Sequence, residues 1–232
     1  MPLSYDEFIY GELYTDYSRA AYVAGGFEDY LSQLTGLGSI GINANTRALF
    51  VGCGLGFLME MAIDAAPGGW ADAWGTDTSA YIQALKLTDA RADIRDKILD
   101  IDITAPGAVQ ALKAAGVSNT GRVNWVITDV VNGFSDAELP AFFSACESVR
   151  ANGPGGIVHI MYPIVEPVVH DLGALGTIEL GVDQGIANQY LNMKSADSWV
   201  AMYPTHYWLD MGWLTRTGSV RVWEPGTGWV YP

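Results

Sequence analysis

Three glycines at alternate positions, Gly52, Gly54 and Gly56, interrupt the stretch ALFVGCGLGFLMEMA (48–62) between an apolar run and an amphipathic one. Glycines so spaced let a chain turn tightly and lie against a ligand, while a helix starting just beyond directs its first N–H groups to the same place. Cys53 sits inside the turn. An acid, Asp77, follows 25 residues after Gly52, at the end of a second predicted strand. A carboxylate there accepts both hydroxyl hydrogens of a ribose. The residue types therefore point to a nucleoside-like ligand. They do not match the dinucleotide fingerprint G-x-G-x-x-G, because position 57 is Phe57.

These residues must be held by strands and helices, and the rest of the sequence supplies them in alternation. Strands are predicted over 48–51, 71–75, 97–103, 123–128 and 157–162. Helices are predicted from 57, over 79–93, from Pro106 to 115, from Ser135 to 151 and from Ser195. Two more strands, 206–213 and 219–223, are close enough to pair as a hairpin. The alternation implies a doubly wound α/β fold, a mostly parallel seven-stranded sheet with an antiparallel C-terminal edge. Residues 46–232 then form one domain, with 163–194 placed as a substrate cover. Residues 1–45 are an aromatic preface with Tyr10, Tyr14 and Tyr17 at helical spacing, either a layer packed on the sheet or a lid.

Composition narrows the function classes. Half of the 232 residues are hydrophobic and 16% are charged, so a sizeable core is expected. The formal charge of −14, from 12 Lys and Arg against 26 Asp and Glu, disfavours nucleic acid as a partner. Lys86, Arg91, Arg95 and Lys97 are the one basic cluster, with Asp89, Asp93 and Asp96 among them to balance it. No apolar run reaches the roughly 18 residues of a membrane span, and the acidic start MPLSYDEFIYGELY is unlike a secretory signal, so a cytoplasmic setting is expected. His159, His170 and His206 lack metal-ligand spacing, and no metal is expected. Trp199, Trp208, Trp213, Trp223 and Trp229 crowd the C-terminal part, for packing or as a partner surface.

With these motifs in order, the chain resembles the class I S-adenosylmethionine-dependent methyltransferases over about 48–163. FVGCGLGF (50–57) resembles the family's first motif, which wraps the methionine part of the cofactor, and WGTDTS (74–79) the second, whose acid holds the ribose. DIDIT (100–104) resembles the third, and VNWVITDVVNGF (123–134) the fourth. RANGPGGIVHIMYP (150–163) is similar to the turn into the fifth strand. The resemblance implies S-adenosyl-L-methionine as cofactor and methyl transfer to a small molecule or a protein side chain. It implies cofactor contacts from Gly52, Cys53, Gly54, Gly56, Asp77 and Thr78. Asp102 would meet the adenine amine, Ile103 the ring, and Asp129 would face the active site. Asn132 and Tyr162 stand where an acceptor would bind, with Glu166 and His170 as further rim groups. The aromatic preface would offer ring faces to the sulfonium. Two positions depart from the pattern: Phe50 and Asn124 replace acids common in the family. A binding or structural module with little or no turnover is therefore the alternative, and a dinucleotide oxidoreductase the third reading.

Overall fold

The structure, a computed structural model, describes residues 47–65, 72–117, 123–150, 155–161, 168–171, 177–180, 192, 194–210 and 221–230. Its centre is β1 (Arg47–Val51), which is apolar on both faces. Ala48 and Phe50 face one buried layer with α1 (Phe57–Ala65), while Leu49 and Val51 face another. That double burial is what a central parallel strand requires. β2 (Asp72–Thr76) and β4 (Trp125–Thr128) flank β1 in parallel, with Val51 opposite both Thr76 and Thr128. β3 (Ile98–Leu99) lies outside β2. On the other side come β5 (Ile157–Met161), β8 (Tyr207–Asp210), β9 (Arg221–Glu224) and β10 (Gly228–Val230). The order is β10-β9-β8-β5-β4-β1-β2-β3, parallel from β3 to β8 and antiparallel beyond. The doubly wound sheet and its antiparallel C-terminal edge are thus as the sequence implies, with eight strands instead of seven. The added strand follows the turn at Pro225, Gly226 and Thr227.

Differences at element ends have local causes. The third strand, expected over 97–103, keeps only two residues in the ladder. Asp102 Oδ1 accepts from both the N–H and the hydroxyl of Thr104, and this side-chain turn draws the chain away from β2. The helix expected over 79–93 is α2 (Ala80–Asp89), capped by the Ser79 hydroxyl, which accepts the Ile82 N–H. The helix expected from Pro106 is α3 (Ala108–Ala114), because Gly107 adopts φ 85° just before it. Ser135 does not cap α4 (Leu139–Val149) directly. Its N–H and hydroxyl both donate to the Glu138 carboxylate, closing a turn that precedes the helix. α5 (Ala196–Met202) begins at Ser195, as expected.

Trp199 and Trp208 are fully buried beside α4, so packing is their role. Trp223 and Trp229 are partly covered and meet edge to face, and the Arg221 guanidinium lies 4.0 Å from the Trp229 ring centre. β6 (Val168–Asp171) and β7 (Thr177–Leu180) pair with each other as a separate antiparallel ladder within the segment expected to be a cover. The aromatic preface, Tyr162, Glu166 and Trp213 lie outside the described residues.

Candidate cofactor site at the switch point of the sheet

The order of strands locates the site before any side chain is considered. Successive crossovers leave β1 toward β2 and β3, then return to β4 on its other side. Between β1 and β4 the chain reverses its winding direction, and ligands of open α/β sheets bind outside the strand ends there. The residues that follow the in-register ends Leu99, Thr76, Val51 and Thr128 lie along one edge. They are Asp102 and Ile103 after β3, Asp77 and Thr78 after β2, the glycine turn after β1, and Asp129 after β4. Three strand spacings carry this edge over about 14 Å.

The turn is built by its neighbours. Gly52, Gly54 and Gly56 have φ of 67°, 53° and 83°. At Gly52 the left-handed backbone coincides with a close approach: a Cβ there would overlap Val130 Cγ1. Within β2, Gly75 is required by space, since a Cβ would overlap Cys53 Sγ. The N–H groups of Gly52 and Cys53 both donate to the Thr76 carbonyl, at 2.8 and 3.1 Å, and the Gly56 N–H donates to Cys53 O at 2.9 Å. Gly54 donates to Asp77 Oδ2 at 2.9 Å, while Asp77 Oδ1 accepts the Ser79 N–H at 2.9 Å. Asp77 is only 8% exposed. It is therefore the brace that fixes the glycine turn to the end of β2, and it brings a buried negative charge to the site.

The other expected residues divide. Thr78 and Asp102 are exposed along the edge, whereas Ile103 is buried with Leu49, Val51 and Leu112. Asp129 is half-buried beside the turn. Cys53 packs its sulfur toward Gly75, and burial, reinforced by the Asp77 charge, pushes its thiol well above the ordinary range, so it is a neutral space-filler. Asn132 is 4% exposed, and its Nδ2 donates to the Asn192 carbonyl at 3.2 Å, while the Asn192 N–H donates to Asn132 O. Asn192 in turn donates to Asp136, which pairs with Lys194 at 2.8 Å. The amide of Asn132 thus joins the loop after β4 to the chain entering α5. No sequence spacing announced Asn192, which lies 60 residues away.

Of the two departures, Phe50 is buried among Ala48, Leu55 and Leu58. Asn124 precedes β4, at the opposite end of that strand from Asp129, so its identity does not bear on this edge. Three of the four basic residues meet carboxylates within the chain: Arg91 pairs with Asp64 and Asp93, Arg95 with Asp96, and Lys97 approaches Asp72, while Lys86 donates to the Ile98 carbonyl. No group of His, Cys, Asp and Glu able to hold a metal ion occurs among the described residues. None of the helices they form is long and apolar enough to cross a membrane.

No protein-family model matches the sequence, and no curated protein is significantly similar to it. Solved structures do align with it. A SAM-dependent methyltransferase from Archaeoglobus fulgidus is 15% identical with a TM-score of 0.38, over 61% of this chain and 56% of that one. An S-adenosylmethionine-dependent methyltransferase from Clostridium acetobutylicum is 15% identical with a TM-score of 0.42, over 72% and 61%. The trans-methyltransferase CalH, in complex with SAH, is 15% identical with a TM-score of 0.40, over 65% and 41%. The alignments thus span about half of each matched chain, from 41% to 61%. The chain is similar to these proteins in outline, and its own strand order identifies it as a doubly wound α/β protein with its switch point between β1 and β4.

Proposed function

We propose that this chain binds S-adenosyl-L-methionine along the edge from Asp102 to Asp129 and transfers its methyl group to a small molecule or a protein side chain. The observation that carries the reading is the use of the turn amides. Gly52, Cys53, Gly54 and Gly56 all donate their N–H groups within the protein. A dinucleotide pyrophosphate needs such amides for itself, whereas S-adenosylmethionine has no phosphate. Charge points the same way. The loops leaving β1 to β4, through Asn132, carry Asp77, Asp100, Asp102 and Asp129 and no Lys or Arg. Carboxylates along an edge with no basic residue favour a cationic ligand, and S-adenosylmethionine carries a sulfonium and an ammonium.

In this reading the bound cofactor supplies an electrophilic methyl group, and the protein orients it. Asp77 holds the turn and accepts from the ribose hydroxyls, Asp102 accepts from the adenine amine, and Asp129 faces the reacting end. Ile103, being buried, shapes the wall through the core behind it. Tyr162 and the rim residues 163–194 are proposed to meet the acceptor. Binding without turnover is the second reading, favoured by Phe50, whose apolar ring occupies the position of a family acid, and by Asn132, whose amide is held by Asn192.

The test is Asp102→Asn. Asparagine still accepts from Thr104 through its carbonyl oxygen, so the turn is kept while the charge is lost. Affinity for S-adenosylmethionine should fall about tenfold, roughly 1.4 kcal/mol, with an unchanged melting temperature. Unchanged affinity would remove Asp102 from the site. Incubation with methyl-labelled cofactor and an acceptor panel separates the two readings by whether label is transferred.

A further inference from the structure

A buried chain of polar side chains crosses the layer between the sheet and α4, and the cofactor reading does not use it. Thr128 Oγ1, on the last residue of β4, lies 2.7 Å from His159 Nδ1. His159 Nε2 is 2.9 Å from His206 Nδ1, and His206 Nε2 is 2.9 Å from Glu147 Oε1. Thr128, His159 and His206 are buried, and Glu147 is 44% exposed on the last turns of α4. Aromatic rings insulate the two imidazoles: Phe143 and Trp208 lie 5.0 and 4.6 Å from His159, and Tyr203 stacks on His206 at 5.1 Å. Two histidines, a hydroxyl and one solvent-reaching carboxylate thus form a single line from the switch-point end of β4 toward the far end of the helix.

The chemistry of the groups gives that line a direction. An ionised Glu147 can only accept, so His206 carries its proton on Nε2 and its Nδ1 is an acceptor. His159 must then donate from Nε2, which leaves its Nδ1 to accept the Thr128 hydroxyl. Three hydrogen bonds use three protons, and every one points toward the surface. The Arg150 guanidinium lies 3.4 Å from the other oxygen of Glu147. The charged and titratable groups facing the pair among the described residues are Glu147 and Cys146 on α4, Arg150 just past its end and Tyr203 after α5. Burial pushes the Cys146 thiol up to about 12, so it stays neutral.

We propose that Thr128, His159, His206 and Glu147 form a proton relay that joins the end of β4, beside the glycine turn, to solvent at Glu147. A proton given up to Thr128 Oγ1 by an acidic N–H or O–H group of a ligand at the switch point, which is left deprotonated, displaces that hydroxyl's own proton onto His159 Nδ1. His159 passes its Nε2 proton to His206 Nδ1, and the charge comes to rest as an imidazolium beside Glu147. Thr128 and His159 end with the proton count they began with, and His206 holds the one added. Protonation of the pair therefore reverses the tautomer of His159 and turns the Thr128 hydroxyl from donor to His159 into acceptor from it. The relay needs only that such a ligand carry a donor group, and it does not depend on the ligand being S-adenosylmethionine.

The chain has three histidines, so nitrogen-15 NMR of the imidazoles resolves the question, with His170→Gln removing the third. At pH 8 both His159 and His206 should be neutral with the proton on Nε2. As pH falls, His206 should become cationic and His159 should change from the Nε2–H to the Nδ1–H form over the same range, because the two titrate as a pair. Glu147→Gln, at a half-exposed position, should leave the fold intact and mix the tautomers of both rings. The rate at which the buried His159 imidazole proton exchanges with solvent should fall in Glu147→Gln, which breaks the line at its solvent end, whereas a purely structural cluster would leave that rate unchanged. A His159 that kept one tautomer through the titration of His206 would show that the line is not connected. Either result would overturn the relay.

Discussion

Asp77 and Gly52 define the site at the scale of single residues, and they do so by different physics. Asp77 acts through two backbone N–H donors, one on each carboxylate oxygen. Replacing it by Asn sets an amide N–H against Gly54 or Ser79, a donor facing a donor, which costs about 1–3 kcal/mol. Asp77→Asn should therefore lower both stability and ligand affinity, in contrast to Asp102→Asn, and calorimetry with a parallel urea titration separates the two. Gly52 acts through space and backbone conformation. A methyl there meets Val130 and strains a left-handed φ. Gly52→Ala should destabilise by about 2 kcal/mol or more. Val130→Ala in the same molecule should restore the part due to collision and leave the part due to φ. Full additivity of the two substitutions would show that the contact is not the cause.

At the scale of elements, the loop after β4 is fixed by one asparagine reaching 60 residues along the chain. Asn132→Ala leaves the Asn192 carbonyl without that donor, so a loss of about 1–3 kcal/mol is expected. Exchange of the Asn192 amide hydrogen should accelerate with it, since its acceptor is Asn132 O. An unchanged exchange rate would mean that the loop is held elsewhere. The same scale explains what the sequence could and could not say. β1, β4 and β5 were legible because strands buried on both faces are continuous apolar runs, and Asp77 because it stands at the end of the next strand after the glycine turn. The ends of β3, α3 and α4 were not, because side-chain turns at Asp102 and Ser135 and the left-handed Gly107 decide them. The pairing of Asn132 with Asn192, and of His159 with His206, depends on which strands become neighbours. Only the strand order reveals that. β10 follows a Pro-Gly turn, but three residues are too few for periodicity to register.

At the scale of the whole molecule, the surface is strongly acidic, while two histidines are buried in the core. Burial holds His159 well below the ordinary imidazole value of 6.5, and it lowers His206 against the opposing pull of Glu147. A folded state that resists protonation is less able than the unfolded chain to take up protons. Stability from these groups is thus fully present above about pH 6.5 and is lost as pH falls through the depressed folded values. The melting temperature should decline from pH 6.5 toward 5, above the range in which the paired carboxylates titrate. A flat profile over that interval would contradict the burial of these rings. The central claim concerns the ligand at the switch point. Calorimetric titration of the purified chain with S-adenosylmethionine, its demethylated product S-adenosylhomocysteine and a nicotinamide dinucleotide tests it most directly. The account predicts that the first two bind in the micromolar range, roughly −8 kcal/mol, and that the dinucleotide does not. A folded sample that binds neither of the first two, or binds the dinucleotide in their place, would contradict it.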